Sequence, residues 1–188
     1  MKSSSQCAAA AKSANRILGM INRTFVNKDS KSMLKLHQSL VRPKLEYCVQ
    51  AWRPYLRKDI DLLEKVQKTA TPLMIGDRGL SYSERLKRLN ITTLETRRLG
   101  GDLIQVFKIF KGINNIQHSD FFTMVSTELR GHELKVYEPQ VHLDICKHFF
   151  SITIVDVWNG LPAALLRCNN VENFKRKFDW HFKNRGYK

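Results

Sequence analysis

Residues Ser39–Thr71 read SLVRPKLEYCVQAWRPYLRKDIDLLEKVQKTAT, and their pattern decides the fold class. Pro43 and Pro54 bracket an aromatic cluster of Tyr47, Trp52 and Tyr55. Proline lacks an N–H and sets its ring against the preceding turn. Pro43 is therefore expected to end a helix arriving from the N-terminal side, and Pro54 to close a short helical piece through Tyr47 and Trp52. Asp59 is then placed to cap a helix whose Ile60, Leu63, Val66, Ala70 and Leu73 recur at helical spacing. Pro72 interrupts that repeat, so the helix is expected to kink or end near Thr71.

The helical pattern extends on both sides. From Gln6 to Phe25, Ala14, Ile17, Leu18, Ile21 and Phe25 share one face at about 100° per residue, with Lys12, Arg16 and Arg23 opposite. Asp29 or Ser30 can cap a second helix reaching Arg42. Its apolar side is Met33, Leu36, His37, Leu40 and Val41, and Lys31, Lys35 and Arg42 lie together on the other side. The basic residues of both helices repeat the same i, i+4, i+11 spacing. Beyond the opening stretch, Gly76 and Gly79 bracket a turn. Ser81 with Glu84 makes a capping box, and Thr92 with Glu95 makes a second before Leu99, Leu103 and Val106. Gly112 is the expected stop of that last helix. Gly100-Gly101 within it costs about 1 kcal/mol per glycine relative to alanine, which marks either an unpolished sequence or a close packing contact.

From Ile113 to Leu143 the periodicity loosens, with one strand candidate at Leu134–Tyr137. Lys147–Asn159 reads as a helix ending at Gly160 and Pro162. A last helix runs from Val171 to about Asn184, capped by Asn169 or Asn170, with Val171, Phe174, Phe178 and Phe182 facing inward. The fold class is mainly α, a helical bundle with a short irregular or strand-containing segment before the C-terminal helices.

At 188 residues and 43% hydrophobic, the chain can bury a core, so disorder is not expected. The net charge of +15 points to a polyanionic partner. Residues 1–60 hold twelve Lys/Arg against three Asp/Glu, a net +9, leaving +6 for the remainder. This asymmetry favours nucleic acid over a merely solubilising surface. The residues expected to contact it are Lys12, Arg16, Arg23, Lys31, Lys35, Arg42, Lys44, Arg53, Arg57 and Lys58. Tyr47, Trp52 and Tyr55 lie among these bases, where aromatics suit stacking on single strands. The competing reading is that Trp52 and Tyr47 anchor the core, and it is preferred for Trp52.

Nothing in the sequence forms a catalytic constellation. No two aspartates are adjacent, and Asp59 and Asp61 stand two apart at a helix start, facing different sides and favouring the macrodipole. His142, Cys146, His148 and Cys168 have ligating chemistry but form no tight pairs, and Phe149 and Phe150 suggest core there, so no metal is assigned. Cys48 is expected to be a buried small apolar residue rather than a nucleophile. No glycine-rich phosphate loop is present, and no cofactor is implied. The four cysteines are scattered, the opening MKSSSQCAAAAK is no signal peptide, and no stretch approaches a membrane span. Reduced thiols in the cytoplasm or nucleus are the expectation.

The words LVRPKLEYCVQAW (Leu40–Trp52), LEKVQKTAT (Leu63–Thr71), RGLSYSERLKRLNITTLETRR (Arg78–Arg98), GDLIQVFKIFKG (Gly101–Gly112), RGHELKV (Arg130–Val136), HFF and VWNGLP (within His148–Pro162) and NFKRKFD (Asn173–Asp179) occur in this order. They resemble non-LTR retrotransposon reverse transcriptases of the LINE/jockey type, in the thumb and the region beyond it. The resemblance implies a thumb-like helical region over 1–112 and a post-thumb region over 113–188. A thumb lies against the template–primer, touching phosphates rather than bases. The family's polymerase uses a palm aspartate pair that this sequence lacks, so the chain is expected not to be an enzyme by itself. It is expected to bind RNA or an RNA–DNA hybrid weakly and without sequence preference, with a palm domain of a longer parent protein as a further partner. The rival is a non-enzymatic protein-interaction module, or the unselected product of a decayed element. Pro72, where the family usually has another residue, fits that decay.

Overall fold

The computed structural model describes residues 3–26, 28–77, 79–125, 132–143 and 146–185, with Val49 and 183–185 described by backbone only. The described residues are mainly helical and contain no strand. No helix among them is long and apolar enough to cross a membrane. They fall into two compact units, Met1–Arg98 and Leu99–Lys188. The division lies inside a helix, earlier than the 112/113 boundary read from the sequence.

In the first unit α1 (Ser3–Thr24) buries Cys7, Ala10, Ala11, Ala14, Leu18 and Ile21. Phe25 lies past its end and is exposed, so it leaves the apolar face assigned to it. Small residues over the first turns let α1 approach α5 (Arg57–Ile75), the helix it packs against most extensively. Asp29 caps α2 (Ser30–Leu36), its carboxylate accepting from the Ser32 N–H at 3.0 Å.

Pro43 does not end the helical path. A π turn at His37–Val41 intervenes, and α3 (Arg42–Glu46) continues with proline in its first turn. The wide turn, in which the Arg42 N–H reaches the His37 carbonyl, gives the proline ring room where α geometry would set it against the Ser39 carbonyl. A turn holding one extra residue displaces everything after it by about 100°. That displacement explains why Leu40, read as apolar side, is exposed, while Leu45 is fully buried.

Tyr47 and Cys48 form a turn before α4 (Val49–Trp52), with Cys48 at φ 49°. Cys48 is exposed, contrary to the buried position expected of it. Trp52 is buried, its indole N–H donating to the Tyr47 carbonyl at 2.8 Å, while the Tyr47 side chain is exposed.

Asp59 does not cap α5. The helix begins at Arg57, and Asp59, in its first turn and buried, accepts from the Ser4 hydroxyl at 2.6 Å. Asp61 faces solvent and pairs with Arg57 at 3.3 Å, so the two aspartates do face different sides. Nor does α5 end at Thr71. It runs through Pro72 to Ile75 and stops at Gly76, at φ 75°. Proline removes the N–H that would serve the Lys68 carbonyl, and the Thr71 hydroxyl donates to that carbonyl instead, at 3.1 Å. The vacancy proline creates is filled from the residue beside it.

The Ser81/Glu84 capping box opens α6 (Tyr82–Leu89). The second expected box does not form at Thr92 and Glu95. α7 (Leu94–Phe110) is capped by Thr93, whose hydroxyl accepts from the Thr96 N–H, and by the buried Glu64 carboxylate, which accepts from the Leu94 N–H at 3.0 Å.

In the second unit α7 ends at Gly112 (φ 64°) as expected. Gly100 is a packing contact: a Cβ there would lie 3.1 Å from Cε1 of Phe178. The helix expected over 147–159 is broken into a 3₁₀ turn (Cys146–His148), α8 (Phe150–Thr153) and α9 (Val155–Asn159), ending at Gly160. Phe149 is exposed and Phe150 only partly buried, so that edge is less core-like than expected. A further helix, α10 (Ala163–Leu166), precedes α11 (Val171–Arg185). Asn170 caps α11, accepting from the Asn173 N–H at 2.8 Å. Phe174 and Phe178 are buried, with Val171 and Phe182 partly so.

Leu134–Tyr137 is not a strand but a single antiparallel bridge, Met124 to Val136. Its polar groups go mainly to α9. Asn159 donates to the Val136 carbonyl at 2.8 Å and accepts its N–H at 2.9 Å, and the Trp158 indole donates to the Leu134 carbonyl at 2.7 Å. Two backbone bonds flank the bridge, from the Val125 N–H to the Lys135 carbonyl at 3.0 Å and from the Tyr137 N–H to the Thr123 carbonyl at 2.8 Å, and the side-chain partners on α9 meet the groups at Leu134 and Val136.

Candidate nucleic-acid interface

The first unit holds twenty Lys/Arg against eight Asp/Glu, a net +12, and the second holds twelve against nine, a net +3. Lys12, Arg16 and Arg23 are all exposed along the side of α1 opposite its buried alanines and leucine. On α2, Lys31 and Lys35 are likewise exposed. α1 and α2 do not pair through their apolar faces as an antiparallel hairpin would. Each lies against α5, and α1 also packs on α3 and the π turn.

The third member of the second row is displaced. The π turn rotates Arg42 off the line of Lys31 and Lys35 into a half-buried place where its Nε has no hydrogen-bond partner. Burial, and then the charge of Arg97, lower its pKa, while Glu46 opposes them. Arg97 is committed to Glu46 through two hydrogen bonds, Nε to Oε1 at 2.6 Å and Nη2 to Oε2 at 3.1 Å. His37 is buried beside this group, with neither ring nitrogen hydrogen-bonded. Burial, followed by the charges of Arg42 and Arg97, pushes its pKa down to about 4, so the ring is neutral at pH 7.

The other expected contacts divide. Lys44 and Lys58 are exposed, and Arg53 is half-buried. Arg57 is exposed but bound to acids, Asp61 at 3.3 Å and Glu95 at 3.7 Å. The aromatic cluster also separates, since Trp52 belongs to the core while Tyr47 and Tyr55 reach solvent. Of the expected contacts, those exposed and outside these ion pairs are Lys12, Arg16 and Arg23 on α1, Lys31 and Lys35 on α2, and Lys44 and Lys58.

A buried polar group that the sequence pattern does not reveal stands on α5 and α6. Glu64 accepts from the Tyr82 hydroxyl, and Gln67 Nε2 donates to that oxygen at 3.0 Å and to the Thr92 carbonyl at 2.9 Å. Burial and the hydrogen bond to Glu64 raise the Tyr82 pKa. Arg98 is buried, its pKa lowered by burial against the attraction of Glu64 and Glu95. Within the first unit, Glu64, Gln67 and Tyr82 tie α5 to α6 and to the residues that open α7, with Glu64 already occupied in capping. Among the described residues no group of three or more His, Cys, Asp or Glu is placed to hold a metal ion.

Comparison with protein-family models, with curated proteins and with solved structures finds no match to this chain.

Proposed function

We propose that the first unit is a helical nucleic-acid-binding module that holds RNA or an RNA–DNA hybrid by its phosphates, weakly and without reading sequence. The observation that carries this reading is its net +12, with the lysines and arginines of α1 and α2 turned outward from their apolar faces. Contacts of this kind position a duplex without specifying bases. The ordered resemblance to the thumb region of non-LTR reverse transcriptases supplies the ligand class. Polymerisation would need the palm aspartates, and no adjacent pair of aspartates exists here.

The test is RNA affinity against salt. Each lost phosphate contact lowers the slope by about 0.7–0.9. Lys12/Arg16/Arg23→Gln should therefore reduce it by roughly 2–3, and Lys31/Lys35→Gln by roughly 1.4–1.8, with folding retained because exposed charges carry little stability. Folded variants with the wild-type slope would return the charge to solubility, and template-dependent nucleotide incorporation by the repurified chain would overturn the non-catalytic reading.

A second reading, a protein-interaction module, is favoured by the exposed Leu40, Tyr47, Tyr55 and Leu56. Self-association insensitive to salt would support it against the first.

A further inference from the structure

The last helix carries a feature that the basic rows of the first unit do not. α11 buries Phe174 and Phe178, and away from them Asn173, Arg176, Lys177 and Trp180 line one shallow concavity. At 3.6 residues per turn these four fall within an arc of about 100°. The acids of the same helix, Glu172 and Asp179, lie to one side of that arc. Trp180 is 69% exposed, while Trp52 and Trp158 are 8% and 0% exposed. It is the chain's one indole turned to solvent, and it stands one turn beyond two cations.

Both cations are held in place with donors to spare. Arg176 donates to Oδ1 of Asn173, and Lys177 donates to the Ala164 carbonyl at the α10 helix, at 3.1 Å. A guanidinium has five N–H groups and an ammonium three, so each anchored head can still meet a phosphate oxygen. An exposed aromatic face beside two such donors matches the two halves of a nucleotide, a flat base and an anionic backbone. A duplex presents only the second half, because its base faces are already stacked.

We propose that Trp180, Arg176 and Lys177 form a binding site for single-stranded nucleic acid, the indole stacking on one base and the two cations taking the adjoining phosphates. The site reads no base identity, since every base has a π face. It stands independently of the phosphate-binding reading of the first unit, because it requires an unstacked base and uses none of the same residues.

The experiment is tryptophan fluorescence of the full chain titrated with oligo(dT), with an abasic oligomer of equal length, and with a blunt duplex. Trp52 and Trp158 are buried, so quenching reports on Trp180. Oligo(dT) should quench, and the abasic strand and the duplex should not. Trp180→Ala should abolish the quench and weaken oligo(dT) binding by roughly 5- to 150-fold, the range expected for one stacked base. Trp180→Phe should restore most of the affinity. Arg176/Lys177→Gln should lower the salt slope by about 1.4, two contacts at about 0.7 each on a single strand. Lys12/Arg16/Arg23→Gln should leave the quench intact, so loss of one site is distinguishable from loss of the other. Equal affinity for abasic and oligo(dT) strands, or wild-type affinity in a folded Trp180→Ala chain, would overturn the proposal. So would an emission shift produced by an acidic peptide or by phosphatidylserine vesicles but not by oligo(dT).

Discussion

Replacing Pro72 by alanine tests how α5 tolerates a proline in its last turns. An interior proline costs about 3 kcal/mol, part from the missing N–H and part from the ring against the carbonyl four residues back. Here the carbonyl concerned, Lys68, already accepts the Thr71 hydroxyl at 3.1 Å. About 1 kcal/mol of the usual cost is thereby offset, and proline's restriction of the unfolded chain returns another 0.4–1 kcal/mol, roughly. Pro72→Ala should therefore stabilise by about 1–2 kcal/mol rather than the full amount. The sharper result comes from a double-mutant cycle. Thr71→Val leaves the Lys68 carbonyl without its donor when residue 72 is proline, but not when alanine supplies an N–H. Thr71 also accepts from Nε of Arg85 at 3.0 Å, and that loss is common to both backgrounds and cancels. Urea unfolding of the four proteins should give a coupling of about 1 kcal/mol, with Thr71→Val less harmful beside alanine. Coupling below about 0.3 kcal/mol, or a Pro72→Ala chain less stable than wild type, would refute the compensation.

Stability should also fall on acidification through His37. Its folded pKa, about 4, lies below the unfolded value, so between about 6.5 and 4 the unfolded chain binds the proton that the folded chain excludes. The contribution is constant above that window and declines by at most roughly 3 kcal/mol across it. His37→Phe should flatten this part of the urea-midpoint profile, and an unchanged profile would place the protons elsewhere. For Gly100→Ala, the gain of about 1 kcal/mol in helix propensity should be cancelled by the 3.1 Å approach to Phe178. In a Phe178→Leu background the same change should stabilise by about 1 kcal/mol, and equal effects in both backgrounds would show that the contact costs nothing.

The features legible in the sequence are those whose chemistry is local. Asp29, the Ser81/Glu84 box, Asn170 and the positive-φ stop at Gly112 each act within a few residues, and each forms. What escaped reading depends on partners far along the chain. Glu64 caps α7 from thirty residues away. Asp59 turns from a helix start toward Ser4 on α1. The Leu134–Tyr137 segment has strand-like residues, but only Lys135 and Tyr137 bond to the backbone of 123–125, while Leu134 and Val136 are met by Trp158 and Asn159.

The candidate interface shows the same division in one element. Lys12, Arg16 and Arg23 match Lys31, Lys35 and Arg42 in spacing, and on ideal helices the two rows would be equivalent. They are not equivalent, because the π turn inserts about 100° of rotation after Leu36. That single shift turns Leu40 out, Leu45 in and Arg42 toward Glu46 and Arg97. Hydrophobic periodicity on either side of the turn is normal, so neither half reveals the break. Pro43, read from sequence as a helix end, was its one local sign. The distinction has a direct consequence for mutagenesis: Lys31 and Lys35 test binding, while Arg42 tests the packing of His37, Glu46 and Arg97. A salt-slope change confined to Arg42→Gln would therefore report a disturbed α3 rather than a lost phosphate contact.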